Sequence, residues 1–322
     1  MSSQTENAKT ALILGATGGI GGAVAQGLAA RGWHIRALTR DVAHRQPDFD
    51  WIEGDAMLVG DVLKAAAGAE VIVHAVNPPG YRNWGQLVLP MLDNTIAAAK
   101  AVGARIVLPG TVYNFGPDVF PNVTEDSAQR PKTRKGAIRV QMERRLRAAA
   151  EQGDTPVIIV RAGDFFGGSR ANSWFSQAMV TPGKPVSTIT YPGRAGLGHQ
   201  WAYLPDVAET MIRLIEKGDE LPAFAVYHMR GHWDGDGRQM IDAVRRVLGH
   251  AVKVKAFPWI IVPLAAPFVP FMRELREMSY LWKVPLEMRN DKLVAVLGEE
   301  PHTPIDEAVR SSLASIGCLP AA

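Results

Sequence analysis

Short apolar runs recur along the first half of the chain, at Ala11–Leu14, His34–Leu38, Val71–Ala75, Arg105–Leu108 and Val157–Arg161. Runs this short, rich in valine and isoleucine, suit strands buried on both faces of a parallel sheet. Between them, apolar positions recur at helical spacing over Gly22–Arg31, Asp61–Ala67, Leu87–Val102 and Ala137–Gln152. Strands alternating with helices predict an α/β fold with a doubly wound parallel sheet of Rossmann type. After Arg161 the pattern loosens, and glycine and proline become frequent through Gly163–Gly198. A helix over Asp206–Lys217 and a strand over Ala225–Met229 restore it. A helix over Arg238–Leu248, a proline-rich apolar stretch, and helices near Met272–Trp282 and Asp306–Ser315 follow. The expected organisation is a disordered start over 1–9, a sheet domain over 10–162, and a smaller cap over most of 163–322. Within the latter, 205–230 returns to the sheet. Ligands of open α/β sheets bind at the strand ends, which this cap would cover.

Composition narrows the functional classes. With 47% hydrophobic and 21% charged residues, the 322-residue chain reads as a globular protein. A formal charge of +3, dispersed along the chain, gives no footprint for nucleic acid. One cysteine, Cys318, excludes an internal disulfide and fits a cytoplasmic protein. Met1–Lys9 lacks the apolar segment of a signal peptide. The most apolar late stretch, Phe257–Met272, carries Pro258, Pro263, Pro267 and Pro270 and is too interrupted to span a bilayer. It is expected to wall a substrate site, or else to form an apolar surface for a partner. A monomer or homodimer acting on a small molecule is the expected state.

Residues 10–24, TALILGATGGIGGAV, carry the clearest chemistry. A buried-type strand runs directly into Gly15, Gly18 and Gly21, and a helical pattern follows. Such a turn needs glycine because the chain bends sharply and its backbone must come close to a pyrophosphate. Free N–H groups and the positive end of the helix dipole then hold the anion. Gly15, Thr17, Gly18, Gly19, Ile20 and Gly21 are therefore the expected phosphate-binding residues of a dinucleotide site.

GATGGIGG, ALTRD and EGDAMLVGDVLKAAAGAEVIVHAV resemble the short-chain dehydrogenase/reductase superfamily in its extended or atypical branch, the epimerase/dehydratase-like one. LPGTVYNFGPD, RAGDFFG and WAYLPDVAET follow in the same order as in extended members, so the likeness covers roughly residues 10–230. It implies a nicotinamide cofactor. An acid at the end of the second strand would mark NAD; here the strand ends Leu38–Thr39–Arg40. Arg40 can pair with a 2′-phosphate, which favours NADP. Asp41, close enough to serve a ribose, keeps NAD possible, and Arg36 falls on the wrong alternating face. The resemblance also implies that Asp55, with Ala56, lies beside the adenine. It further implies that His74, Ala75 and Val76 run along the cofactor and that Gly163 lies near the nicotinamide.

The catalytic positions depart from the family. Ordinary members use Tyr-x-x-x-Lys on one helix face, with a serine at the end of the preceding strand. Laid on RKGAIRVQMERRL, Gly136 and Glu143 keep their places, Lys135 takes the tyrosine position and Arg139 the lysine position. The serine position falls on Pro109, with Thr111 two residues on. Three readings follow. The first is a reductase with a substituted acid, either Lys135 kept neutral by desolvation and by Arg139, or Tyr113. The second is a nucleotide-binding redox sensor or regulatory protein with little catalysis. The third is a lyase, isomerase or epimerase that uses bound cofactor transiently. In either enzyme case Lys135 and Arg139 would sit at the nicotinamide ribose.

Substrate contacts are expected from Tyr81 and Trp84 in the loop after Val71–Ala75, and from Phe165 and Phe166 in GDFFGG. Trp201 and Tyr203, on alternate positions of a short segment, could face the same pocket. No metal is expected, because His199, His228, His232 and His250 lack ligand spacing. No Gly-x-Ser-x-Gly hydrolase motif is present.

Overall fold

In a computed structural model, residues 8–43, 48–78, 83–153, 155–168 and 173–319 are described, the side chains of 270 and 271 excepted. The first strand, β1 (Thr10–Leu14), enters α1 (Gly19–Ala29), then β2 (His34–Thr39) and β3 (Asp50–Glu53). Next come α2 (Val59–Ala66), β4 (Val71–His74), α3 (Trp84–Val102), β5 (Arg105–Thr111) and the short β6 (Asn122–Val123). The first half closes with α4 (Arg134–Glu151) and β7 (Val157–Ala162). The cap begins with β8 (Asp164–Phe166), β9 (Thr188–Tyr191) and β10 (His199–Tyr203). After α5 (Leu204–Lys217) and β11 (Phe224–His228) it resumes with β12 (His232–Asp234), α6 (Gln239–Leu248) and β13 (Lys253–Ala256). It ends with α7 (Ile261–Ala265), α8 (Pro270–Met278), β14 (Glu287–Met288), α9 (Asp291–Leu297) and α10 (Ile305–Ser315).

Seven strands form one sheet in the order β11-β7-β5-β4-β1-β2-β3, every neighbouring pair parallel. Each parallel step needs a crossover, which the helices supply. Side chains alternate across the sheet, so β1 divides its apolar residues between two layers. Ala11 and Ile13 join Val24, Ala25 and Leu28 of α1 and Val207, Met211 and Ile215 of α5. Leu12 and Leu14 join Val62 of α2, Leu92 of α3 and Leu146 of α4 on the other face. Each fully buried leucine or isoleucine contributes roughly 1.5–3 kcal/mol.

A third apolar cluster is the cap interior, around Phe166, Phe175, Ile189, Trp201, Met240 and Val309. A fourth joins Val112, Phe115 and Val123 to Met278, Leu281 and Met288, and fastens the late segments to the end of β5. Phe257–Met272 divides its apolar residues: Val262 and Ala266 are buried and Trp259 packs on the cap interior, while Ile260 is 77% exposed, Leu264 71% and Phe268 86%. No described helix is long and apolar enough to cross a membrane.

Candidate nucleotide and catalytic site

The turn between β1 and α1 is built around atoms that glycine lacks. Gly15 has φ +95°, and a Cβ there would lie 2.6 Å from the Ala75 carbonyl oxygen. At Gly21 a Cβ would lie 2.3 Å from the Gly15 carbonyl oxygen. The Gly18 amide closes the turn by donating to Gly15 O at 2.8 Å. Gly18 also caps α1 without any side-chain hydrogen bond, so no side chain of the cap covers the first amides of the helix. Thr17, Gly19 and Ile20 are half-buried around this opening. Backbone amides at a helix start, held close by absent side chains, fit a pyrophosphate.

At the end of β2, Arg40 is exposed. Arg36 is engaged elsewhere, 3.3 Å from Asp50 Oδ2 and 2.6 Å from Ala67 O. Asp41 accepts from the Ala43 amide at 2.8 Å and so closes its own turn. Asp55 likewise accepts from the Met57 amide, while Asp61 accepts from the Asp55 amide. Ala56 is buried, and its carbonyl receives Asn94 Nδ2 at 2.9 Å. At the end of β4, Ala75 packs on Gly15, and Val76 is half-buried beside it.

His74 is 1% exposed, and burial together with the nearby Arg139 charge lowers its pKa to about 3. Thr95 Oγ1 donates to Met91 O, so it accepts from His74 Nδ1–H at 2.8 Å. That bond fixes the tautomer and leaves Nε2 a buried acceptor with no hydrogen-bond partner among the described residues.

On α4 the four-residue spacing puts Lys135 and Arg139 on one face. Arg139 Nη1 donates to Pro109 O at 3.3 Å, and its guanidinium lies 5.3 Å from the Trp84 ring centre. Lys135 is 2% exposed, with Nζ 3.0 Å from Glu277 Oε2 and in contact with the Glu274 carboxylate. Glu277 Oε1 also accepts from the Lys135 amide at 2.9 Å, so this carboxylate caps α4. Besides the burial and the Arg139 neighbour that the sequence suggests, two carboxylates from α8 face Lys135 Nζ. Glu274 and Glu277 lie 139 and 142 residues beyond Lys135 in the chain, and no local spacing announces them.

Thr111 Oγ1 accepts from the Tyr113 amide at 3.3 Å and so caps the turn that follows β5. The Tyr113 backbone lies against Gly136, where a Cβ would come 2.2 Å from Tyr113 O. Its ring packs on the fourth apolar cluster.

Behind these groups lies a buried polar network. Glu143 takes Arg161 with both oxygens, Nε at 3.0 Å and Nη2 in close contact. Arg161 Nη1 donates to His228 Nε2 at 2.9 Å, and Glu125 accepts the His228 amide at 2.7 Å. Burial, with Arg161 second, lowers His228 to about 3. This bidentate pair joins α4 to β7 and β11 at the ends of the strands.

The expected substrate contacts fare differently. Phe166 and Trp201 have no exposed surface, and Tyr203 has 7%; all three fill the cap interior. An apolar aromatic on alternate strand positions has the same pattern whether it faces a ligand or a core, and here it faces the core. Trp84 is 4% exposed and packs into the layer under α3, with its indole N–H donating to Asn77. Phe165 is half-buried against the sheet. Gly163 serves strand packing, since a Cβ would strike Gln200 O at 2.3 Å. Tyr81 lies outside the described residues. Beside these, His199 pairs with Asp164 at 3.0 Å and stacks on Trp282, ring centres 3.7 Å apart.

Comparisons with known proteins agree with this architecture. Residues 11–229 match the family model described as the NAD dependent epimerase/dehydratase family. An uncharacterized protein, y4nL, of Sinorhizobium fredii is 31% identical over 206 residues, covering 56% of this chain and 57% of that one. A 3-diazoavenalumate denitrifying reductase of Streptomyces sp is 33% identical over 129 residues, 36% of this chain and 42% of that one. The matched segments thus span about half the length of these relatives. Among solved structures, MoeE5 in complex with UDP-glucose and NAD superposes with a TM-score of 0.73 at 17% identity, covering 95% of this chain and 98% of that one.

Proposed function

The chain belongs to the NAD dependent epimerase/dehydratase family, and from that premise we propose that it is a hydride-transfer enzyme that prefers NADP(H) and acts on a small organic molecule. The observation that carries the reading is the β1–α1 turn, whose Gly15 and Gly21 leave room that any side chain would fill. Gly15 to Gly21 would hold the pyrophosphate, Asp55 and Ala56 the adenine side, and Arg40 a 2′-phosphate. His74, Ala75, Val76, Pro109 and Arg139 would line the nicotinamide end. A nicotinamide bound there supplies or removes hydride at a substrate carbon.

The protein's own groups supply little acid. Arg139 does not deprotonate in proteins, and it keeps a positive charge where ordinary members have lysine. His74 is neutral at neutral pH and offers an acceptor nitrogen. Lys135 is matched by Glu274 and Glu277. Such a site suits a substrate that accepts hydride without leaving an oxyanion to protonate, such as an iminium or an aryl diazonium. In the last case Ar–N2+ and hydride give Ar–H and dinitrogen, with no proton required. The name of the Streptomyces relative, a denitrifying reductase of a diazo compound, supports that class.

Turnover of aldehydes, ketones, enones and an aryl diazonium by the purified protein, followed by NADPH absorbance, tests the reading. It expects oxidation of NADPH with the diazonium at least tenfold faster than with ketones or enones. Tight NADPH binding with no turnover across the panel would overturn it in favour of a nucleotide sensor, which the ion-paired Lys135 also fits.

A further inference from the structure

Spacing along the chain pointed to no metal, yet the fold brings three donors from distant segments to one place. His232 belongs to β12, Asp206 to the first turn of α5, and His302 to the segment before α10. One donor atom from each lies within 4.8 Å of the others. The two imidazoles are 4.4 Å apart, ring centre to ring centre. From this convergence we propose that Asp206, His232 and His302 form a binding site for a single divalent zinc-type cation that pins the C-terminal segment to the strand ends.

Two further observations point to a ligand. His232 is 7% exposed, and its Nε2 is buried with no hydrogen-bond partner among the described residues. A buried ring nitrogen left so is costly unless its lone pair or its N–H finds a partner. The same ring lines a cavity of about 260 Å³, with His302, Trp233 and Gln239 among its walls. The donor set has the right chemistry too: two imidazoles and one carboxylate suit zinc better than magnesium or calcium, which prefer oxygen.

The supporting contacts hold the donors in place. Asp206 Oδ2 accepts from the Thr303 amide at 2.8 Å, and Oδ1 accepts from Thr303 Oγ1 at 2.7 Å. Each carboxylate oxygen keeps a second lone pair for a metal. Because Thr303 follows His302, these bonds also tether the histidine backbone over the carboxylate. Phe166 packs its edge on the His232 ring at 5.6 Å and fixes its plane. Such bonds beyond the ligands orient them and sharpen affinity.

The test titrates zinc chloride into chelator-treated, tag-free protein by calorimetry, and follows the melting temperature with zinc and with magnesium. The proposal expects one equivalent of zinc bound and a melting temperature raised by zinc but not by magnesium. His302 is exposed, so His302→Ala is expected to fold, to bind zinc at least tenfold more weakly and to lose the zinc-induced rise. Asp206→Asn, which keeps an acceptor toward Thr303, is expected to weaken binding in the same direction. No zinc binding by the wild type, an unchanged affinity in His302→Ala, or an equal rise with magnesium would each overturn it.

Discussion

The β1–α1 turn and the α4–α8 junction face the same end of the sheet but are assembled in different ways. At the turn, the strand, the glycines and the helix start lie within a dozen residues, and only the Ala75 backbone that Gly15 admits comes from farther along the chain. At the junction, Lys135 acquires its character from Glu274 and Glu277, carried by a helix that the chain reaches much later. The first is set by backbone sterics, the second by long-range charge pairing. Under the proposed function, a nucleotide site persists while the position that carries the tyrosine in ordinary members pairs with two carboxylates.

The largest effect is expected behind both regions. Glu143→Gln leaves Arg161 buried with half its partner lost, which should cost about 3–5 kcal/mol in urea unfolding. If stability is unchanged, the network does not join α4 to the sheet as described.

Acid should act next. The folded pKa values of His74 and His228, about 3 each, lie below the ordinary 6.5. The neutral forms are favoured in the folded state, so their contribution is full above pH 6.5 and is lost as pH falls toward 3. Each histidine then adds a slope of up to about 1.4 kcal/mol per pH unit. Stability measured from pH 7 to 4 should fall less steeply in His228→Gln than in the wild type.

Gly15→Ala tests the turn itself. The positive φ and the 2.6 Å approach to Ala75 O should cost about 1–3 kcal/mol in strain. NADPH affinity, read by fluorescence titration, should fall at least tenfold. Lys135→Met tests the junction. It removes the cation facing two carboxylates and should destabilise by about 1–3 kcal/mol. NADPH affinity and the pH profile of turnover should stay as they were. A selective loss of turnover would restore Lys135 as the acid and erase the contrast.

Arg40→Ala is the smallest and sharpest change. It should weaken NADPH about tenfold, near 1.4 kcal/mol, and leave NADH unchanged. Equal loss for both would mean that Arg40 does not read the 2′-phosphate.

What could be read from the sequence follows the same division. The strands and helices of the parallel sheet appear as apolar runs and helical spacing, and their observed ends differ by a few residues. Asp50–Glu53, DWIE, escaped because an exposed edge strand of four residues has no apolar run to mark it. The glycine turn was legible because its chemistry is local. Trp201 and Phe166 were misplaced as substrate contacts because alternation on a strand does not say which face meets a ligand. Asp206, His232 and His302 share no spacing at all, since three separate segments meet only in the folded chain.

The proposed function rests on a nicotinamide dinucleotide bound at the β1–α1 turn, with Lys135 in place of the tyrosine of ordinary members. Calorimetric titration of the purified protein with NADPH and, separately, with NADH tests it most directly. Both are expected to bind, NADPH at least tenfold tighter. Failure to bind either nucleotide would contradict it.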